Sequence, residues 1–361
     1  MPARQIRLGP LVFDPVALAA SLALGAVGGT VAIWLHLPLG MLLGSLIAVG
    51  AVAILGWQPF GRPVDVPEKL RFFFVPVIGV SIGGAFTPEI LADAVHWWPS
   101  VLALLIYLPL ALGFGFLIYT RIAGIDRVTA FFGAVPGGLV ETVLLGEGSG
   151  ADPQMLTLLQ FLRLIWCILL VPIGFTLATG HAVGSAAGLS LGNAAAPIGA
   201  WDMAVLLVAA VLGAWGGKRL RLPAAIMTGP ILLSALAHLA ELTQTVPPGW
   251  LVGLTQLVVG TSLGARFAGM PRRHLTVAVK VSGLNALCAL GLAAAFAALL
   301  APMVGEPAQG VFLAFAPGGL AEMSLVALGL QVSVIYVTVH HVLRIVLSVL
   351  LAQILSRRLR A

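Results

Sequence analysis

The phrase Pro136-Gly137-Gly138-Leu139-Val140-Glu141 returns as Pro317-Gly318-Gly319-Leu320-Ala321-Glu322 in the second half of the chain. We call the separation of Pro136 from Pro317 the repeat spacing. Other pairs with the same repeat spacing are Val77–Gly83 with Val258–Gly264, and Leu162-Arg163 with Leu343-Arg344. Further upstream, Leu37-Pro38 matches Leu222-Pro223 at a slightly larger spacing. Repetition of this kind indicates that the chain contains two copies of one structural unit.

The composition of the chain indicates whether it folds in water or in a membrane. Hydrophobic residues make up 60%, charged residues only 9%, and the mean hydropathy is +1.08. A soluble domain has about a quarter of its residues charged, so this composition excludes one. Most of the apolar segments approach the roughly 20 residues that a membrane-spanning helix needs. The sequence therefore predicts an all-α polytopic membrane protein.

The order of these segments predicts how the chain is organised. The predicted parts are a basic N-terminal tail (1–14), a first transmembrane repeat (15–178), a linker (179–201), a second transmembrane repeat (202–356) and a basic C-terminal tail (357–361). The linker is rich in Gly, Ala and Ser and joins the two copies. No soluble stretch is large enough to form a separate domain.

The positively charged residues of the chain lie in short loops and tails, where they indicate which side of the membrane each loop faces. The net charge is +6, and the clusters are Arg4/Arg7, Arg62/Lys69/Arg71, Arg121/Arg127, Lys218/Arg219/Arg221, Arg266/Arg272/Arg273 and Arg357/Arg358/Arg360. All six can face the cytoplasm if each Pro-Gly-Gly segment is a re-entrant or broken element. Each copy then has five full crossings, so the copies are inverted relative to each other. We expect about 10 full transmembrane helices, a bacterial inner (plasma) membrane location and both termini in the cytoplasm.

The two Pro-Gly-Gly breaks are the first candidate site. Proline removes a helix hydrogen bond and glycine permits close backbone approach. Irregular backbone survives at membrane depth only where protein or a watery cavity satisfies its polar groups. In transporters such breaks bind substrate anions and coupling cations. The candidate residues are therefore Pro136, Gly137, Gly138, Pro317, Gly318 and Gly319. A kinked structural helix is the alternative.

Glu141 and Glu322 fall in the first turn after the breaks. There a carboxylate can cap free amides at the positive end of a helix. It can also act as a titrating or cation-binding group, since carboxylates inside membranes are costly and usually functional. Both interpretations stay open, and the two copies can differ.

Arg163 and Arg344 lie inside the next apolar segment of each copy. Each follows a polar residue by three positions, Gln160 or His341, so the two side chains share one helix face. Each arginine can pair with the preceding glutamate, or it can receive a carboxylate or phosphate of the substrate.

Other patterns in the chain favour packing over chemistry. His340 and His341 are adjacent and form a poor bidentate metal site, so we predict no metal and no cofactor. The repeated Gly-x-Ser-x-Gly phrase around Ser81 and Ser262 lacks the setting of a nucleophile elbow, and close helix packing by small residues is the favoured interpretation.

The paired segments Pro-Gly-Gly-Leu-Val-Glu…Gln-Phe-Leu-Arg and Pro-Gly-Gly-Leu-Ala-Glu…His-His-Val-Leu-Arg resemble the bacterial AbrB-duplication membrane proteins. That family also carries the labels ammonia monooxygenase and AbrB-type regulator. The resemblance covers nearly the whole chain and implies inverted repeats with broken helices, similar to cation/proton antiporters and bile-acid symporters. A monooxygenase needs a metal site and a DNA-binding regulator needs a soluble basic module, and the sequence displays neither.

The leading hypothesis is a secondary transporter, coupled to H⁺ or Na⁺, for a small anionic organic solute. It is not an enzyme, its surroundings are the lipid bilayer, nucleic acid is not a partner, and a homo-oligomer is compatible with the sequence. The alternative is a non-transporting integral membrane regulator of gene expression that acts through a partner. A membrane oxidase of the ammonia monooxygenase type ranks last.

The inverted arrangement predicts that residues near Glu306 and Arg358 lie on opposite sides of the membrane. Single cysteines placed beside each, in a chain whose Cys167 and Cys288 are replaced by alanine, report the side through an impermeant thiol reagent. We expect labelling from outside near Glu306 only. Labelling of both positions from the same side would contradict the inverted repeat.

Overall fold

The computed structural model describes residues 6–8, 11–180, 198–270 and 272–359. Its α-helices in the first copy are α1 (Pro15–Trp34), α2 (Gly40–Leu55), α3 (Arg71–Gly83), α4 (Pro88–Asp93), α5 (Trp98–Leu117), α6 (Arg127–Ala134), α7 (Leu139–Glu147) and α8 (Pro153–Thr179). Those of the second copy are α9 (Ala200–Arg219), α10 (Ala225–Leu239), α11 (Gly249–Ala265), α12 (Arg272–Val304), α13 (Ala308–Phe315), α14 (Leu320–Gly329) and α15 (Val334–Leu359).

The N-terminal tail contributes a small element that the sequence did not predict. Strands β1 (Ile6–Leu8) and β2 (Leu11–Phe13) pair antiparallel, with Ile6 opposite Phe13. Asp14 then caps α1, because its carboxylate accepts hydrogen bonds from the Val16 and Ala17 amides.

The helices are apolar enough for a membrane protein. Six of the described segments have the length and composition to cross a membrane: Pro15–Trp34, Ala94–Ile122, Pro153–Thr179, Ala200–Arg219, His274–Val304 and Val334–Ser356. Shorter apolar helices include α2, α3, α10 and α11. The chain is thus a helical membrane protein, as predicted, and the total of about 10 crossings stays a prediction.

The chain forms two compact units that do not coincide with the two sequence copies. Unit 1 combines residues 1–87 with 172–270, and unit 2 combines 88–171 with 271–361. Each unit therefore takes one part from each copy. Most of the predicted linker, residues 181–197, lies outside the described residues.

Unit 1 is held together by close helix crossings at glycine. Gly28 of α1 meets Gly44 of α2, and Gly213 of α9 meets Gly229 of α10, so closely that a Cβ on Gly44 or Gly229 would collide with the opposite carbonyl. The two pairs are related by the same larger spacing that joins Leu37-Pro38 to Leu222-Pro223. Small residues at such crossings let helix backbones approach in a membrane.

The repeated Gly-x-Ser-x-Gly phrase serves the same packing role in unit 1. On α3, Gly79 and Gly83 approach α10, where a Cβ on Gly79 would lie 2.8 Å from the Met227 carbonyl oxygen. On α11, Gly264 approaches α2, where a Cβ would lie 2.8 Å from the Leu46 carbonyl oxygen. Each phrase thus packs against the second helix of the other copy. This agrees with the interpretation that its small residues permit close helix packing.

Unit 2 contains both Pro-Gly-Gly breaks. The break of the first copy separates α6 from α7, and that of the second separates α13 from α14. The long helix α12 packs against α5 and α13, while α15 packs against α5, α7, α13 and α14. The breaks are therefore enclosed by long helices of the same unit.

The glycine crossing in unit 1 predicts that Gly229→Ala lowers stability, because the new methyl group collides with the Gly213 carbonyl. Overpacking of this kind costs about 1–3 kcal/mol. Gly216→Ala on α9 is the control, since nothing lies within 4 Å of a Cβ there. Thermal unfolding in detergent should show a lower Tm for Gly229→Ala alone. Equal Tm values for both variants would contradict the close crossing.

Candidate functional site

Each break divides an apolar segment into two short helices. The helices α6, α7, α13 and α14 have 8, 9, 8 and 10 residues. At about 1.5 Å per residue each is roughly half the thickness of the hydrocarbon core or less. The last carbonyls of α6 and α13 consequently have no partner within their own helix and need one from elsewhere.

In the first copy these carbonyls are bound by side chains of α8. The Gln160 Nε2 donates to the Phe132 carbonyl at 2.6 Å and to the Val135 carbonyl at 3.2 Å. The Arg163 Nη1 also donates to the Val135 carbonyl. Gln160 is fully buried and Arg163 is 6% exposed. The polar pair on α8 therefore closes the open end of α6.

The second copy repeats this arrangement with side chains of α15. The His341 Nε2 donates to the Leu313 carbonyl at 2.9 Å. The Arg344 guanidinium donates to the Ala316 carbonyl and, through Nη2, to the Gly318 carbonyl at 2.7 Å. The repeat spacing relates His341 to Gln160 and Leu313 to Phe132. It relates the two arginines, and the residues whose carbonyls accept hydrogen bonds from them, in the same way. The duplication therefore extends to individual hydrogen bonds.

The two buried arginines lie at the negative ends of short helices. A cation there is favoured by the helix dipole as well as by hydrogen bonds. Their hydrogen bonds go to backbone carbonyls, and for Arg344 also to the His341 Nδ1 at 3.2 Å. This differs from the simple Glu–Arg pair that the sequence left open. The Nε of each arginine is buried without a partner in the described structure, so each guanidinium keeps one donor to offer.

The two glutamates curl back toward the second glycine of each break. A Cβ on Gly138 would lie 3.4 Å from the Glu141 Oε2, and a Cβ on Gly319 would collide with the Glu322 Oε2. This geometry fits the capping interpretation of the carboxylates. The copies differ in environment, since Glu141 is exposed and Glu322 is 5% exposed. They differ also in backbone, since Gly138 has φ +63° and Gly319 has φ −77°.

The two breaks lie against each other's neighbouring helices. A Cβ on Gly137 would lie 3.3 Å from the Ser348 Cβ and 3.4 Å from the Arg344 carbonyl oxygen on α15. A Cβ on Gly319 would lie 3.0 Å from the Leu164 Cδ1 on α8. Each break therefore contacts the arginine-bearing helix of the other copy. The twelve residues proposed from the sequence all lie in unit 2, on the two breaks, on the short helices α7 and α14 that follow them, or on α8 and α15.

Several polar side chains of this region were not predicted. Thr142 donates to the Gly137 carbonyl at 3.0 Å and ties α7 to the break. Asn285 of α12 donates to the Tyr119 hydroxyl at 2.9 Å, and Ser348 lies fully buried beside Gly137. Ser348 could have been found through its counterpart Cys167, which the repeat spacing places at the same point of α8.

Comparisons with known proteins place the chain in a family. The family model described as "Transition state regulatory protein AbrB" matches residues 59–360. The "Uncharacterized protein YhjN" of Bacillus subtilis (strain 168) is 25% identical over 354 residues, which cover 91% of this chain and 90% of that protein. The "Putative regulator AbrB" of Escherichia coli (strain K12) is 25% identical over 295 residues, covering 81% and 82%.

The equivalence of Gln160 and His341 predicts that His341→Gln preserves stability, because an amide donates to the Leu313 carbonyl as Gln160 does to Phe132. In His341→Leu the carbonyl loses its donor, which costs about 1–3 kcal/mol. Thermal unfolding of both variants provides the measurement. A Tm for His341→Leu that equals that of His341→Gln would show that the capping bond contributes nothing.

Proposed function

We propose that this chain, which belongs to the AbrB family, is a secondary transporter of a small anionic organic solute. The observation that carries the proposal is that each Pro-Gly-Gly break in unit 2 contacts the arginine-bearing helix of the other copy. Discontinuous helices contributed by both halves of a duplicated chain are where secondary transporters bind solute and coupling ion.

The groups at the breaks suit an anion. The amides that begin α7 and α14 point toward the breaks, at the positive ends of helices. The buried guanidinium groups of Arg163 and Arg344 add positive charge, and the Nε of each has no acceptor among the residues that the structure describes. A carboxylate or phosphate of the solute would satisfy both kinds of donor.

The carboxylates of Glu141 and Glu322 complete the proposed site. They hold the half-helices in place and offer oxygen ligands to a coupling cation, H⁺ or Na⁺. The difference in burial between them suits a site that is not occupied symmetrically. We place the protein in the bacterial inner membrane with both termini in the cytoplasm, with about 10 full crossings and with a homo-oligomer as a compatible state.

A regulatory role is the second candidate, because the family description and one relative carry the word regulator or regulatory. Such a role would require a partner protein that reads the state of the membrane chain. It is compatible with solute binding at the breaks, since a receptor for a solute needs the same kind of site. Net movement of solute distinguishes the two candidates.

The transport proposal predicts exchange of solute across a vesicle membrane. Purified protein is reconstituted in liposomes loaded with a mixture of unlabelled mono-, di- and tricarboxylic acids and amino acids. The same mixture labelled with ¹³C is added outside, and mass spectrometry measures the label that enters. We expect at least one acid to enter faster than into protein-free liposomes.

The same assay links exchange to the breaks. Gly318→Ala with Gly319→Ala brings new methyl groups against Met323 and Glu322 and should slow entry by roughly tenfold, equivalent to ~1.4 kcal/mol. Gly291→Ala on α12 is the control, because nothing lies within 4 Å of a Cβ there. Folded wild-type protein that exchanges none of the acids, while binding some of them in a thermal-shift assay, would favour the regulatory candidate.

A further inference from the structure

His340 lies one residue before the carbonyl-binding His341 and takes no part in the site described above. It is fully buried on α15. Its Nδ1 lies 2.8 Å from the Tyr336 carbonyl oxygen, and its Nε2 lies 2.8 Å from the Ser100 Oγ of α5. The Ser100 Oγ in turn lies 2.8 Å from the Trp97 carbonyl oxygen.

These contacts contain one proton too few when His340 is neutral. The bond to the Tyr336 carbonyl needs a proton on Nδ1, because a carbonyl only accepts. The bond to the Trp97 carbonyl needs the single hydroxyl proton of Ser100 for the same reason. The Nε2–Oγ contact then has no proton left. One more proton on Nε2 makes all three contacts complete hydrogen bonds.

The aromatic surroundings also suit a cation at this position. The Tyr336 ring lies 4.2 Å from the His340 ring, measured between centroids, with the ring planes inclined by 39°. An aromatic ring within about 6 Å attracts a cation over its face, and more strongly where water is excluded. Burial opposes the charged form, so the hydrogen bonds and the ring have to offset that cost.

The duplication provides an internal control for this cluster. The repeat spacing places Leu159 where the second copy has His340, and Val281 where the first copy has Ser100. Leu159 and Val281 are both buried and apolar. The fold therefore packs well at this position without polar groups, and the histidine–serine contact is not a requirement of the architecture.

Polar and aromatic side chains lie between His340 and the turn at residues 304–307. The Ser100 hydroxyl neighbours the Tyr336 side chain, which packs edge-on against Trp97 at 5.2 Å. Trp97 and Ser333 lie beside the Glu306 carboxyl and favour its charged form. Burial, together with the nearby Asp93, raises the pKa of Glu306. The groups on this side of His340 therefore include a titratable carboxyl.

Charged and titratable groups surround His340 on several elements. Tyr336, His341 and Arg344 share its helix, which also carries Arg357 and Arg358 near its end. The elements that pack against α15 carry Tyr107 on α5, Glu141 and Glu147 on α7 and Glu322 on α14, while α13 carries none. Arg344 opposes a second positive charge nearby. Filling the breaks with an anionic solute would offset that repulsion and favour proton binding.

We propose that His340, with Ser100 and the Tyr336 carbonyl, forms a proton-binding site that couples proton movement to the second break. The coupling role rests on the proposed transport function, whereas proton binding itself does not. His341 follows directly in the chain and holds the α13 end, so a charge on His340 acts on the break through its immediate neighbour. The site takes a proton rather than Na⁺, because its Nδ1 has to donate to a carbonyl.

The test measures proton binding directly, without a solute. Protein labelled with ¹⁵N-histidine is placed in nanodiscs, and ring nitrogen signals are followed from about pH 8 to about pH 4, through and below the range in which histidine ordinarily titrates. Comparison with His340→Gln, or with His340→Asn, assigns the His340 signals. We expect them to change from the Nδ1–H tautomer to the doubly protonated ring within this range.

Two further variants locate the cause of proton binding. Ser100→Ala should leave His340 neutral at the pH where the wild-type ring is half protonated, because the acceptor for Nε2–H is gone. His341→Gln should leave the His340 titration in place. A His340 ring that stays in one protonation state throughout, or a Ser100→Ala variant that titrates as the wild type does, would overturn the proposal.

The assay of exchange separates this inference from transport itself. His340→Gln should still exchange labelled solute but lose the acceleration that an imposed pH gradient gives the wild type. Full gradient dependence in His340→Gln would refute the coupling role. Absence of exchange in the wild type would count against transport and against coupling, while the titration of His340 would still decide whether the proton site exists.

Discussion

Backbone carbonyls that face no water have to be satisfied by protein, and the architecture of unit 2 follows from this constraint. The Pro-Gly-Gly phrases end α6 and α13 inside an apolar segment and leave their last carbonyls without helical partners. Arg163 and Arg344 donate to these carbonyls from the adjoining helices. The two arginines can therefore remain buried, because each binds carbonyl groups that a break leaves without helical partners.

The duplication explains both what the two copies share and where they differ. Gln160 and His341 bind equivalent carbonyls, although one side chain is an amide and the other an imidazole. Glu322 is buried whereas its counterpart Glu141 is exposed. A symmetric scaffold thus carries an asymmetric set of ionisable groups. Such asymmetry suits a site in which the solute and the coupling ion bind at different positions. Coupling to the ion is the role proposed for the second break.

The sequence predicted the helical membrane fold, the breaks and the polar pairs on one helix face, because these depend on composition and short spacings. It did not predict that Arg163 and Arg344 bind carbonyls instead of glutamates, since spacing along a helix does not report what faces it. The Ser100–His340 contact joins residues 240 positions apart and has no repeat to reveal it. The mixing of both copies in each unit likewise depends on tertiary packing alone.

The contact of the first break with the arginine-bearing helix α15 of the other copy can be measured by cross-linking Gly137→Cys with Ser348→Cys, after Cys167 and Cys288 are replaced by alanine. The Cβ positions are 3.3 Å apart, close to the separation of about 3.5–4.5 Å in disulfides. Gly113→Cys with Ser348→Cys serves as the control, because nothing lies within 4 Å of a Cβ on Gly113. Mild oxidation in membranes should yield the 137–348 cross-linked peptide by mass spectrometry, and no cross-link in the control. Folded double variants without a 137–348 cross-link would contradict the account.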